Sequence, residues 1–263
     1  MHAGPLTLPY ALTILAVALA YFFTGRAGQM FAMLGEQVTP VWPPSGVALA
    51  ALLLFGRRAW PGVWLGAFAV NLTGLLHEPN GVRWGASLLA AGGMSAGAVL
   101  TAWLGFEMAR RYAPPGNPLD RLRGVVILLG LSGVVACLVS SLNGTAWLVI
   151  GGFAPPAAAR DIWLTWWLGD AAGVFVFATL LLAWLGQPSF RPPLRVGESI
   201  LCFGILLVVS WWVFGENPLP GMEGKPFSFI LVPLMVWPAL RYGQRGATAA
   251  ILLITGIAVW GTV

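Results

Sequence analysis

Nine predominantly apolar runs follow one another along the chain, at residues 6–23, 42–55, 60–76, 84–109, 122–149, 162–185, 199–214, 227–240 and 247–263, separated by short polar connectors. At about 1.5 Å of rise per residue, most of them are long enough to cross a hydrocarbon layer of about 30 Å. The pattern predicts an all-α integral membrane protein, a polytopic bundle of about 8–10 transmembrane helices with almost no soluble mass. Two runs are short. Residues 42–55 carry Pro43 and Pro44, and residues 227–240 carry Pro233 and Pro238. Because proline removes a backbone donor, both are expected to be proline-broken or partly re-entrant, with residues 42–46 irregular and shielded by neighbouring helices. Residues 6–23 lack a basic leader region and a small-residue cleavage signal, so they read as a retained first helix.

Composition agrees with this reading: 58% of the 263 residues are hydrophobic and 9% charged, against about 25% charged in an ordinary soluble domain. The basic residues sit in connectors, which makes the high pI of about 9.9 a matter of membrane anchoring and not of nucleic-acid binding. Their distribution sets an expected orientation. Arg57, Arg58, Arg110, Arg111, Arg121, Arg123, Arg191, Arg195, Arg241 and Arg245 fall in the even-numbered connectors, whereas only Arg26, Arg83, Arg160 and Lys225 fall in the odd ones. Cytoplasmic connectors retain Lys and Arg, so the N-terminus and the even connectors are expected in the cytoplasm. Nine crossings would then end on the outer side, inside an apolar run at residues 260–263. The expectation is therefore a fragment, residues 1–263 being one membrane domain followed by a returning helix and an output domain.

Candidate chemistry is sparse. His2 and His77 are the only histidines and lie in different connectors, and Cys137 and Cys202 lie inside apolar runs. No catalytic triad, metal site, cofactor or phosphate-binding loop is expected. One ionisable residue stands out. Asp170 lies within an apolar run, where an unpaired charge costs several kcal/mol, so it is a candidate functional residue by default. Trp163, Trp166 and Trp167 share helical spacing with it, and Gly169 with Gly173 forms a small-xxx-small surface for close helix approach. Trp42, Ser45, Asn71 and Asn143 are expected at the same depth in the outer half, where they would either complete a polar pocket with Asp170 or fasten helices together. Gly62 with Gly66 and Gly93 with Gly97 read as packing pairs.

The run from Val41 to Leu72, opening Val41-Trp42-Pro43-Pro44-Ser45-Gly46 and continuing through Leu54-Phe55-Gly56-Arg57-Arg58 to Asn71-Leu72, resembles the first type of bacterial membrane-associated sensor domain, the MASE family. Residues 166–173, Trp-Trp-Leu-Gly-Asp-Ala-Ala-Gly, and residues 241–247, Arg-Tyr-Gly-Gln-Arg-Gly-Ala, look like its second and third hallmarks, in family order. The glycines of Leu54-Phe55-Gly56-Arg57-Arg58 and Arg241-Tyr242-Gly243-Gln244-Arg245 both suit a helix end, an echo that fits either a duplicated unit or a shared way of ending a helix at the cytoplasmic face. The resemblance implies an inner-membrane input module, normally fused to a histidine kinase or a diguanylate cyclase, and a homodimer through that output domain. The expected stimulus is an outer-side, intramembrane or partner-protein signal. The alternative is a small-molecule transporter or permease component, which the broken helices and the echo would suit. No enzyme activity is expected of this chain itself.

Overall fold

Proline is tolerated at the first helical positions, where the missing N–H would have had no intrahelical partner. The second apolar run uses it in this way. In the computed structural model, which describes residues 9–30, 40–76, 83–186, 196–215 and 227–261, helix α2 (Pro43–Phe55) starts directly at Pro43 and continues through Pro44. The expected irregular stretch at 42–46 is thus corrected to a regular first turn, preceded by an extended Trp42. Its shielding is as expected, because Pro43, Pro44 and Gly46 are all buried.

Among the described residues every regular element is helical. Besides α2 these are α1 (Tyr10–Gln29), α3 (Trp60–Leu76), α4 (Trp84–Tyr112), α5 (Leu122–Ile150), α6 (Pro156–Leu185), α7 (Val196–Phe214) and α8 (Leu231–Trp260). Among the described residues six helices, α1, α3, α4, α5, α6 and α7, are long and apolar enough to cross a membrane. The first helix runs on to Gln29 because Gly25 and Gly28 pack against Val70, Pro44 and Trp42, so the polar residues after Phe23 do not end it. The last two apolar runs are joined within α8 with no intervening loop, the break being the single residue Gly243 at φ 61° and ψ −144°. Gly56, at φ 80°, ends α2 in a similar left-handed conformation that a side chain would strain, so the two similar sequences make similar backbone breaks. Helices α5 and α6 each contain a stretch of π-helix, Ile127–Val135 and Val174–Ala178, which the apolar pattern gave no sign of.

The chain divides into two compact units, Met1–Leu182 and Ala183–Val263. In the first, α2 is central. Nine of its 13 residues are buried, and at about 1.5 Å per residue it reaches only about 20 Å, so its start lies inside the bundle and not at a membrane surface. Its neighbours are α1, α4 and α6. Close packing depends on the paired glycines: a Cβ on Gly62 or Gly66 would lie 2.6 Å from atoms of α1, and one on Gly93 or Gly97 would meet Trp147 or Asn143 of α5. At one end of this unit Arg57 and Arg110 both donate to Glu107, with Arg57 also over the Trp103 ring. At the other, Arg83 donates to the Gly152 carbonyl at 2.9 Å. Residues of the second and fourth connectors therefore meet at one end, and those of the third and fifth at the other.

In the second unit α7 packs on α8 around Leu206, Leu231 and Ala250. Glu198 pairs with Arg241, and Arg245 donates to the Ala183 carbonyl at 3.2 Å.

Candidate functional site around Asp170

Asp170 lies near the midpoint of α6 and is 1% exposed. The start of α2 comes to meet it. Trp42 N–H donates to the Gly169 carbonyl at 2.9 Å, and the Trp42 carbonyl lies so close to Gly173 that a Cβ there would sit 1.9 Å from it. The Gly169 and Gly173 surface thus receives the beginning of α2. This placement carries Ser45, in the first turn of α2, to a hydrogen bond of 2.6 Å from its hydroxyl to Asp170 Oδ1. From α5, the Ser140 hydroxyl donates to Oδ2, and Trp166, one turn back on α6, lines the cavity beside the carboxyl group.

No Lys, Arg or His among the described residues approaches this carboxyl group; its partners are neutral donors and the positive end of the α2 dipole, equivalent to about half a charge. Such an arrangement gives the carboxyl group hydrogen-bond donors but no opposite full charge.

The group faces a cavity lined by Tyr21, Trp42, Ser45, Asn71, Met94, Thr101, Ser140, Trp166 and Asp170, among others. The cavity has a volume of about 20 Å³, which is room for one or two waters.

The expected site residues divide. Trp42, Ser45, Asn71, Trp166 and Asp170 line one cavity. Asn143 does not: its side chain packs over Gly97, and Oδ1 is buried without a partner. The tryptophan face also splits, since Trp163 and Trp167 stack on each other at 6.1 Å. Trp167 donates to the Val134 carbonyl at 2.9 Å, in the π-helical part of α5, while Trp163 Nε1 is buried without a partner. Sequence reasoning passed over Tyr21, Thr101 and Ser140. Hydroxyls are common in apolar helices and usually satisfied by their own backbone, so nothing local distinguished these three. The spacing of Ser140 one turn before Asn143 was the available signal.

Trp42, Ser45, Asn71, Trp166, Trp167 and Asp170 lie in the stretches that carry the resemblance to a sensor family. A family description of MASE1 matches residues 12–263. The chain belongs to the MASE1 family. A curated relative of this MASE1 chain is the probable diguanylate cyclase DgcE of Escherichia coli (strain K12), 26% identical over 249 residues that make up 92% of this chain and 20% of that protein. The chain thus spans about a fifth of the length of the relative it matches. No solved structure matches. Membership, together with the six long apolar helices, makes the chain a multi-pass membrane sensor domain.

Proposed function

We propose that this MASE1 chain is the sensory input domain of a bacterial inner-membrane signalling protein, whose cytoplasmic output domain is of the diguanylate cyclase or histidine kinase type. The relative's name supports the cyclase, and its much greater length supports an output domain encoded beyond the matched region. In this reading the N-terminus and the even connectors face the cytoplasm, and the working unit is a homodimer held by its output domains.

The observation that carries the reading is the suspension of a half-length helix from a buried acid. At its start α2 is held by Ser45 to Asp170 and by Trp42 to Gly169. At its other end it passes through Gly56 to Arg57, which is paired with Glu107 at the expected cytoplasmic face. A change in charge or occupancy at Asp170 alters the attachment of α2 and thereby the Arg57–Glu107 contact. A stimulus acts if it favours one of two α2 positions over the other. Trp42, Asn71 and Trp166 belong to this sensing site, with Asn143, Trp163 and Trp167 supporting it by packing.

The test uses the full-length protein in membranes. Asp170→Asn keeps size and hydrogen bonding but removes ionisation, whereas Asp170→Leu removes both. Output activity altered in both variants at normal abundance is the expected result. Normal output and normal abundance in both would show that Asp170 is not part of the signal path. Loss of abundance in the leucine variant alone, with normal output from asparagine, would make it a fastener.

A further inference from the structure

The walls of the Asp170 cavity are unusual in what they offer. Ser45 gives its hydroxyl proton to the carboxyl group, and Ser140 has the carboxyl group and the Cys137 carbonyl at 3.2 Å as acceptors for its own, so both hydroxyls turn lone pairs toward the cavity. The carboxylate oxygens retain unused lone pairs as well. Thr101, from α4, adds another oxygen: it is 8% exposed, lines the cavity, and its Oγ1 is buried with no hydrogen-bond partner. The Tyr21 hydroxyl is one proton donor at this wall. A wall of hard oxygen acceptors around one negative charge, with space for one or two water-sized particles, matches a small cation.

Charge decides which. One carboxylate, eased by a helix dipole, balances one positive charge, and among the described residues no group of three His, Cys, Asp or Glu side chains exists to hold a divalent or transition metal. A shielded site formed at the start of a half-length helix, with carboxylate and hydroxyl ligands, favours a weakly hydrated monovalent ion over magnesium, which dehydrates reluctantly.

We propose that this cavity is a sodium-binding site, with Asp170, Ser45, Ser140 and Thr101 as oxygen ligands drawn from α6, α2, α5 and α4. The ion joins four helices through one point. Its arrival or loss is the change in occupancy on which the sensing role proposed above rests. The Asn71 side chain, also at the wall, is placed to complete the shell directly or through a water.

The experiment measures binding of radioactive sodium to the full-length protein in nanodiscs, at constant ionic strength with choline chloride as replacement, for the wild type, Asp170→Asn and Thr101→Val. The expected result is about one saturable sodium per chain, abolished in Asp170→Asn and at least tenfold weaker in Thr101→Val. Output activity measured in parallel separates this inference from the functional reading. If the wild type binds no saturable sodium while Asp170→Asn still changes output, the cavity holds water alone and the cation assignment falls, leaving the sensing site in place. If sodium binds with these variant effects but output is the same with and without it, the site is a structural cation site and the sensing role falls. Equal binding in wild type and Asp170→Asn, with both variants folded, would place the ion elsewhere and overturn the proposal.

Discussion

An alanine at Gly46 tests the central placement of α2 directly. The added Cβ would lie 2.3 Å from the Gly173 carbonyl oxygen and 2.7 Å from both the Ala178 amide nitrogen and Phe177 Cβ. Two of these contacts are backbone, which has no rotamer by which to yield. Restoring ordinary contact requires α2 and α6 to separate by about 1 Å, and such overpacking costs about 1–3 kcal/mol. Glycine to alanine also favours helix by up to about 1 kcal/mol. Gly92→Ala supplies the comparison, since Gly92 lies within α4 and a Cβ there meets nothing within 4 Å. The propensity gain is common to both, so Gly46→Ala should be less stable than Gly92→Ala by about 1–3 kcal/mol. Reversible unfolding in mixed detergent–lipid micelles, followed by tryptophan fluorescence, would measure the difference. Equal stability of the two variants would mean that the α2 helix does not lie against the backbone of α6, and the geometry proposed for Asp170 would fall with it.

Removing one donor from a buried carboxylate is expected to cost about 1.5–3 kcal/mol, so Ser140→Ala should lower unfolding stability by that order, and an unchanged midpoint would deny the bond. By contrast, Glu107→Gln, at an exposed ion pair with Arg57 and Arg110, should shift stability by less than about 1 kcal/mol in the same assay. Gly56→Ala has open space around it but a left-handed backbone, so a loss of about 1–3 kcal/mol is expected from conformation alone, and a neutral effect would contradict the break at the end of α2. For orientation, single cysteines replacing Arg111 and Arg160 in a cysteine-free background should differ in intact cells, an impermeant thiol reagent labelling only the second; the reverse pattern would invert the topology.

Apolar length and arginine placement, read from the chain, determined the class of the protein, because in lipid every backbone group must be satisfied within helices and because positive charge marks connectors. Asp170 was legible for the same reason: an acid in an apolar run has few neutral explanations. The prolines at 43 and 44 were visible too, but whether they broke a helix or began one depended on where α2 started, and only its docking on Gly169 and Gly173 set that point. The surroundings of Asp170 were only partly legible. Ser45 was expected beside it, but Ser140 and Thr101 come from two other helices, and nothing in the local pattern of either records that it stands at the same cavity. Asn143 shows the converse, since it has the chemistry for the cavity but Gly97 provides a notch that holds it elsewhere. Helical periodicity places a residue on a face, whereas the π-helical stretches in α5 and α6 change the register of the faces that follow, so which side chains share the cavity was settled by tertiary packing.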